Sequence, residues 1–259
     1  GCRVLTINAQ PDGRFPARNP EPSEEGLAPL ADLVCSVGAA FGIAHDGDAD
    51  RAVFIDDKGR FVEENKEFAL IADAVCSGRS GLVVTPVSSS RLIEQIASRH
   101  SCSVEYTAVG SIYVARRMLA LIDAGKTVVF GGEGNGGLIY PDHQFCRDGG
   151  MTAAMMVCLL TMKKTPLSAL VDELPPSIML KHKFHTDKAY AMLKAVKEKF
   201  SGDIFNEVDG IRIDRTDVWA LIRPSGTEPL VRLYIESADE SIAKAFESEI
   251  LGCINPIIL

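Results

Sequence analysis

The sequence lacks the features that mark nucleic-acid-binding and membrane proteins. Its 27 basic residues are outnumbered by 35 acidic ones, giving a formal net charge of −8, so no basic groove for a nucleic acid is expected. The longest apolar run, Met151 to Met162, is too short to cross a bilayer, and the first residues resemble a strand, so we expect no signal peptide. We therefore expect no nucleic-acid and no membrane partner, and an anionic ligand would need a local cluster of cations.

No pair of cysteines has the CxxC spacing of a zinc site or a redox motif. The seven cysteines are scattered, at positions Cys2, Cys35, Cys76, Cys102, Cys146, Cys158 and Cys253. We expect them to be buried free thiols in a cytoplasmic protein, because the cytoplasm keeps thiols reduced.

The order of predicted strands and helices along the sequence indicates three folded units. Residues 1–80 predict part of an α/β domain. It has a strand at Val4–Ile7, a helix capped by Ser23, two short strands around an acidic loop, and a helix capped by Asn65. Because the chain opens inside a strand, we expect it to be the later part of a longer protein.

The second and third units have different patterns. Residues 81–176 alternate short apolar strands with helices, which is typical of βαβ units and a parallel sheet. Within them Met151–Lys163 is apolar nearly all round, so a buried helix is expected. Residues 177–259 contain consecutive strands with short turns and two helices, which predict an α+β domain with an antiparallel sheet. The Pro175–Pro176 pair marks the linker.

The first loop with chemical potential is His45-Asp46-Gly47-Asp48-Ala49-Asp50-Arg51. Carboxylates at alternate positions of one tight turn repel unless a cation gathers them, and oxygen-only ligands suit Mg²⁺ or Ca²⁺ better than zinc. An EF-hand is excluded, because Arg51 stands where its glycine is required. A solvated acidic turn is the structural alternative to a metal site at Asp46, Asp48 and Asp50.

The second loop, Gly131 to Gly137, has five glycines in seven positions. Glycines let the backbone approach a ligand closely, and the embedded Glu133 and Asn135 are typical partners of sugar hydroxyls. A Rossmann motif is excluded because the following residues continue as a strand. A purely structural turn is the alternative.

The third loop, Arg223-Pro224-Ser225-Gly226-Thr227-Glu228-Pro229, combines a guanidinium, two hydroxyls and a glycine between two strands. Arg223 offers a bidentate donor, Ser225 and Thr227 offer hydroxyls, and Gly226 permits a nest of backbone N–H groups. This density of donors is typical of a phosphate site, with an incidental surface turn as the alternative. The three loops together indicate a phosphosugar ligand.

These loops, in this order, resemble the motifs of the α-D-phosphohexomutase superfamily. The DGDADR and RPSGTEP segments are complete, and Pro11-Asp12-Gly13 and Arg147-Asp148-Gly149 fit the same pattern. The asparagine form of the sugar loop is most similar to archaeal phosphomannomutase, phosphoglucomutase or phosphoglucosamine mutase. The resemblance implies part of the second, the whole third and the fourth of four domains.

The resemblance also implies roles for single residues and a cytoplasmic mutase that interconverts hexose 1- and 6-phosphates. Asp46, Asp48 and Asp50 become Mg²⁺ ligands, and Arg51 becomes a catalytic contact to the reacting phosphate. The two other loops become the substrate site, with residues Glu133, Asn135, Arg223, Ser225, Gly226 and Thr227. A bisphosphate of the glucose 1,6-bisphosphate type is implied as activator.

This sequence departs from the family pattern in three places. Gly134 stands where relatives often carry a larger residue, and Ser111 where they tend to carry Asp or His. The phosphoserine loop of the first domain is absent from these residues, and Ser88-Ser89-Ser90 are better explained by helix capping. We therefore expect no turnover from these residues alone.

Two alternatives to a phosphohexomutase are a non-catalytic sugar-phosphate-binding protein and a phosphatase of the haloacid dehalogenase type. The phosphatase requires a DxDGT motif, whereas the loop here is DGDAD followed by Arg51.

Overall fold

The computed structural model of the chain describes residues 1–226 and 228–258. It contains three sheets in chain order: a three-stranded antiparallel sheet, a four-stranded mainly parallel sheet and a five-stranded antiparallel sheet. The predicted fold class, α/β units followed by an α+β unit, is confirmed.

The first unit is built around the sheet β1-β2-β3. Its elements are a 3₁₀ turn at Glu25–Leu27, α1 (Ala28–Val37), β1 (Gly42–His45), β2 (Ala52–Ile55) and β3 (Phe61–Val62). The hydroxyl of Ser23 accepts from the Gly26 amide at 3.2 Å, which confirms its expected position at the start of a helix. The strand predicted at Val4–Ile7 is wrong: the segment is exposed and pairs with no strand.

The second unit carries the sheet β5-β4-β6-β7, in which the first three strands are parallel and β7 returns antiparallel. Its elements are α2 (Glu64–Cys76), β4 (Gly81–Pro86), α3 (Leu92–Arg99), β5 (Cys102–Thr107), α4 (Ser111–Asp123), β6 (Val128–Glu133), β7 (Gly137–Ile139), α5 (Gly149–Lys163) and α6 (Leu167–Asp172). Helix α2 was expected within residues 1–80, but it packs against α3 and β6 and is therefore described with the second unit. One hydrophobic core, including Phe54, Phe68 and Phe130, joins this unit to the first.

Two expectations about these helices are wrong. The cap of α2 is the carboxylate of Glu63, which accepts from the amides of Asn65 and Lys66, so Asn65 lies inside the helix. Helix α5 is not buried all round: Met156 faces the core, but Met162 is 66 % exposed. The helix packs on the other elements along one side only, so part of its apolar surface is exposed to solvent.

The third unit is the sheet β8-β12-β11-β10-β9 covered by two helices. Its elements are β8 (Ile178–His185), α7 (Ala189–Lys199), β9 (Ile204–Asn206), β10 (Ile211–Asp214), β11 (Val218–Pro224), β12 (Leu230–Ser237) and α8 (Glu240–Ile258). Alternate residues such as Ile213, Ile222 and Leu233 pack on α7 and α8. The residues between them lie on the opposite sheet face, which we call the cleft face.

A buried carboxylate connects the cleft face to the second unit. Glu236 on β12 accepts from the Arg91 amide at 2.8 Å and from the side chains of Ser90, Ser177 and Trp219. A charge so buried is tolerated because every contact is a donor. These bonds hold the third sheet against the start of α3.

Two further expectations concern burial and membranes. The expected burial of the cysteines is wrong for Cys2, Cys35, Cys146 and Cys158, which are exposed free thiols. Across the described ranges, no helix combines the length and apolar character needed to cross a bilayer.

Candidate functional site

The acidic loop joins the antiparallel strands β1 and β2, which are in register from Gly42 opposite Ile55 to His45 opposite Ala52. This hairpin brings one carboxylate oxygen from each of Asp46, Asp48 and Asp50 within 4.8 Å of the others. Within the described ranges they are the one group of three acidic side chains close enough to share a cation.

Arginines partly neutralise this loop. Asp46 accepts from the amide of Arg51 at 3.1 Å and from its Nε at 2.7 Å. Burial raises the pKa of Asp46, but the hydrogen bonds from Arg51 outweigh that effect and hold it below its usual value. The carboxylate of Asp46 is therefore charged and oriented at neutral pH.

Asp50 has an oxygen that no protein group satisfies. Its Oδ2 accepts from Nε of Arg147 at 2.9 Å, while its Oδ1 is buried and has no hydrogen-bond partner among the described residues. Burial raises the pKa of Asp50, an effect that Arg147 opposes and that the charges of Asp46 and Asp48 reinforce. An orphaned carboxylate oxygen beside two other carboxylates fits a hard divalent cation.

Arg51, the predicted catalytic arginine, lies between two acidic partners. Its guanidinium donates to Glu21 at 2.7 Å and its Nε to Asp46. The hydrogen bonds that Arg51 donates to Glu21 raise the pKa of its guanidinium, so its charge is permanent. Glu21 belongs to the loop before α1. The sequence analysis did not predict its contact with Arg51, because the two residues lie far apart in the sequence.

The sugar loop is the turn between β6 and β7. Oε1 of Glu133 accepts from the Gly110 amide at 3.0 Å, and Oε2 lies 3.4 Å from a terminal nitrogen of Arg147. Asn135 turns its Oδ1 to the Gly137 amide at 3.1 Å. Because Arg147 contacts both Asp50 and Glu133, it couples the metal loop to the sugar loop.

Gly134 departs from the family pattern for a steric reason. A Cβ built on Gly134 would lie 2.1 Å from Oδ1 of Asn65. The amide of Asn65 thus occupies the space that a larger residue would fill. Asn65 is in turn oriented by the Glu63 carboxylate, which accepts from its Nδ2 at 2.7 Å.

Ser111, the other substituted position, is the first residue of α4, and it does not line the cavity described below. Ser90 accepts from the Leu92 amide at 3.1 Å, in agreement with the expected capping role of that serine run.

The phosphate loop joins β11 to β12. Nε and a terminal nitrogen of Arg223 each lie 3.0 Å from Oδ2 of Asp209, which also accepts from the Val109 amide at 3.0 Å. Ser225 and Gly226 follow Arg223 in the same loop, and both line the cavity described below. Thr227, the last residue of the predicted substrate site, lies outside the described residues.

The consecutive amides of Val109 and Gly110 therefore bind the two loops in a fixed relation. One donates to Asp209, the partner of Arg223, and the next donates to Glu133. A short backbone segment of the second unit thus sets the separation between Glu133 and the Arg223–Asp209 pair.

Both loops line a single cavity of about 970 Å³ between the second and third units. From the predicted set it is lined by Glu133, Asn135, Arg223, Ser225 and Gly226. The aspartates of the metal loop and Arg51 are not among its lining residues. Side chains that the sequence analysis missed also line it, among them Asn65, Tyr113, Lys181, Lys183, Asp209 and Arg232.

Arg232 alternates with Val231 and Leu233 along β12 and therefore lies on the cleft face. It lines the same cavity as Arg223 and lies 3.7 Å from the carboxylate of Glu228.

Family models for phosphoglucomutase/phosphomannomutase match almost the whole chain. Domain II matches residues 1–59, the α/β/α domain III residues 63–178 and the C-terminal domain residues 179–252.

Curated relatives share this assignment. A phosphoglucomutase/phosphomannomutase of Thermococcus kodakarensis is 44 % identical over 95 % of this chain and 54 % of its own length. A probable phosphoglucosamine mutase of Methanosarcina barkeri is 40 % identical over 95 % of this chain and 55 % of its own. The chain thus spans about half the length of the curated relatives it matches.

The fold also matches solved structures. A phosphoglucomutase/phosphomannomutase family protein of Burkholderia thailandensis superposes with a TM-score of 0.86 at 22 % identity, over 98 % of this chain and 55 % of that one.

Proposed function

This chain belongs to the phosphoglucomutase/phosphomannomutase family of α-D-phosphohexomutases, and we propose that it supplies the metal, sugar and phosphate sites of an enzyme that interconverts hexose 1- and 6-phosphates. The observation that carries the proposal is the shared cavity. Glu133 and Asn135 line the same space as Arg223 and its loop, which supports a ligand with both hydroxyls and a phosphate.

In this proposal each wall of the cavity recognises one part of the substrate. Arg223, Ser225 and Gly226 hold the phosphate that is not being transferred, through charge-assisted and backbone hydrogen bonds. Glu133 accepts hydrogen bonds from ring hydroxyls, and Asn135 both donates and accepts. Because the loop contacts the phosphate group and not the sugar ring, it can bind a phosphate at either the 1- or the 6-position.

The acidic loop is proposed to hold Mg²⁺ through Asp46, Asp48 and Asp50. A Mg²⁺ ion bound there would neutralise part of the negative charge on the transferring phosphate. Arg51, fixed by Glu21 and Asp46, is proposed to contact that phosphate.

The reaction is proposed to follow the family's route through a phosphoserine outside these residues. The serine O–P bond breaks as the free substrate hydroxyl forms a new O–P bond, which yields a hexose bisphosphate. After this intermediate turns over in the cavity, its other phosphate returns to the serine. A glucose 1,6-bisphosphate-type activator fits this route, because it can phosphorylate the serine directly.

The names of the relatives suggest glucose, mannose and glucosamine phosphates as the substrates to test. Calorimetric titration of this chain with each 1-phosphate should show binding that Arg223→Ala weakens roughly 30-fold, equivalent to about 2 kcal/mol for lost charge-assisted bonds. Arg116→Ala is the matched control, since Arg116 is exposed on α4. Equal affinities of both variants, or sugar phosphates binding no better than inorganic phosphate, would contradict the proposal.

A further inference from the structure

The cleft face of the third sheet carries more positive charge than the phosphate loop alone explains. On its inner part, Trp219 and Leu221 pack against Val87 of the second unit. Its outer part faces the cavity and is lined by Lys181, Lys183, Arg223, Arg232 and Tyr234. Four of these five side chains are cationic, and they come from three neighbouring strands.

Three of the cations form a row across the sheet. Arg223 on β11 is directly opposite Arg232 on β12, and Arg232 is directly opposite Lys183 on β8. Like charges at opposed cross-strand positions destabilise a sheet. Lys181, two residues before Lys183, extends the positive charge along β8 and lies opposite Tyr234.

Only part of this row is neutralised within the protein. Arg223 lies 3.0 Å from Asp209, and Arg232 lies 3.7 Å from Glu228. In the part of the chain that the structure describes, neither Lys181 nor Lys183 has an ion-pair partner. Both lysines are exposed to the cavity, on the edge strand of the sheet.

Acidic groups lie on the other side of the cavity. Glu64 of α2 and Glu133 of β6 line it from the second unit. Burial raises the pKa of Glu64, and the charge of Lys181 opposes that rise. All four cations belong to the third unit, which contributes one acidic residue to the lining, Asp209, and this residue is already paired with Arg223.

We infer that Lys181 and Lys183 are phosphate-positioning residues, which bind the same phosphate group as the Arg223 loop from the β8 side. This inference rests on the proposed function. An anion between the loop and β8 would offset the repulsion along the row and give the two free ammonium groups their missing partner. A lysine is suited to this position, because its flexible stem can follow a phosphate whose sugar reorients.

The test is equilibrium binding by calorimetry, with glucose 1-phosphate and inorganic phosphate as separate probes. Lys181→Met and Lys183→Met should each lower the affinity for glucose 1-phosphate about fivefold, and the double variant about 20-fold. The affinity for inorganic phosphate should fall by the same factors, because the lysines touch phosphate and not sugar. Lys126→Met, at an exposed position with no contact to the cavity, should bind like the wild type.

Two further measurements separate positioning from a general structural effect. Lys183→Arg should restore most of the affinity, and melting temperatures should show that the methionine variants are folded. In the double variant the affinity should also depend less steeply on salt, since two charges no longer contribute.

The outcomes distinguish this inference from the proposed function. If the wild type binds glucose 1-phosphate and Arg223→Ala weakens binding, but the lysine variants match Lys126→Met, the inference is overturned alone. If the lysine variants lose sugar-phosphate affinity but keep that for inorganic phosphate, the lysines contact the sugar and the inference is also wrong. If Arg223→Ala has no effect, the proposed function itself fails.

Discussion

The acidic loop at residues 46–51 and the cationic wall of the cavity differ in how far their charges are paired within the protein. The cationic wall consists of Lys181, Lys183, Arg223 and Arg232. In the loop, Asp46 is paired with Arg51 and Asp50 with Arg147, so two of the three carboxylates have a cationic partner inside the protein. On the wall, Lys181 and Lys183 face the cavity with no ion-pair partner within the described residues.

This difference indicates what each region contributes before any ligand binds. Paired charges fix the position of their loops, because breaking a largely desolvated pair leaves a charge without compensation. Unpaired charges facing a cavity cost stability and contribute binding, since a ligand supplies the missing partner. Loss of a charge should therefore destabilise the fold in the first region and leave it unharmed in the second.

The largest effect on stability is expected for Arg147→Met. The change leaves Asp50 and Glu133 without their shared cation and should lower the free energy of unfolding by about 2–3 kcal/mol, less than a fully buried pair would lose. Chemical denaturation measures this effect. Mg²⁺ should recover part of the loss, because a divalent cation can replace the guanidinium beside Asp50.

The control for Arg147→Met is Arg116→Met, an exposed arginine whose loss should change stability by no more than about 0.5 kcal/mol. Equal stabilities of the two variants would show that Arg147 does not organise the acidic loop.

A smaller effect of opposite sign is expected for Glu67→Met. Glu67 on α2 differs from both the paired carboxylates of the acidic loop and the unpaired lysines of the cavity. Its carboxyl group is fully buried and has neither a cation nor a hydrogen-bond partner among the described residues. Removing an unpaired polar group should raise the free energy of unfolding by about 1–2 kcal/mol at pH 7. Glu173→Met, at an exposed position, should be neutral.

The gain from Glu67→Met should depend on pH. Burial raises the pKa of Glu67 well above its usual value, and the charges of Glu64 and Glu63 add to the rise. The unfolded chain therefore releases this proton at lower pH than the folded protein, and stability is lost as pH rises from about 4.3 towards the folded pKa. The gain should be larger at pH 7 than at pH 4, and a gain independent of pH would contradict the assigned burial.

The smallest effect is expected for the stability of Lys183→Met. Removing one of three like charges in a cross-strand row should leave the free energy of unfolding unchanged or raise it by about 0.2–0.5 kcal/mol. Thermal denaturation in low salt, where repulsion is least screened, is the measurement. A loss of more than 1 kcal/mol would place Lys183 with the paired, structural charges of the acidic loop.

The sequence by itself determined the fold class and indicated the chemistry that we propose for the three loops. Carboxylates at alternate positions, glycines around Glu133 and the donors beginning at Arg223 are local patterns, because each functional group lies a few residues from the next. Strand–helix alternation and the late run of strands are local too, so the parallel and antiparallel sheets were predictable.

Only the tertiary structure decided which side chains share the cavity and which charges are paired. Glu21 meets Arg51, Arg147 meets Asp50 and Asp209 meets Arg223 only after separate elements pack together. Strand alternation separates the two faces of β8 and β12 but does not say that the polar face lines a ligand cavity. That assignment depends on how the third unit is held against the second, through contacts between residues far apart in the chain.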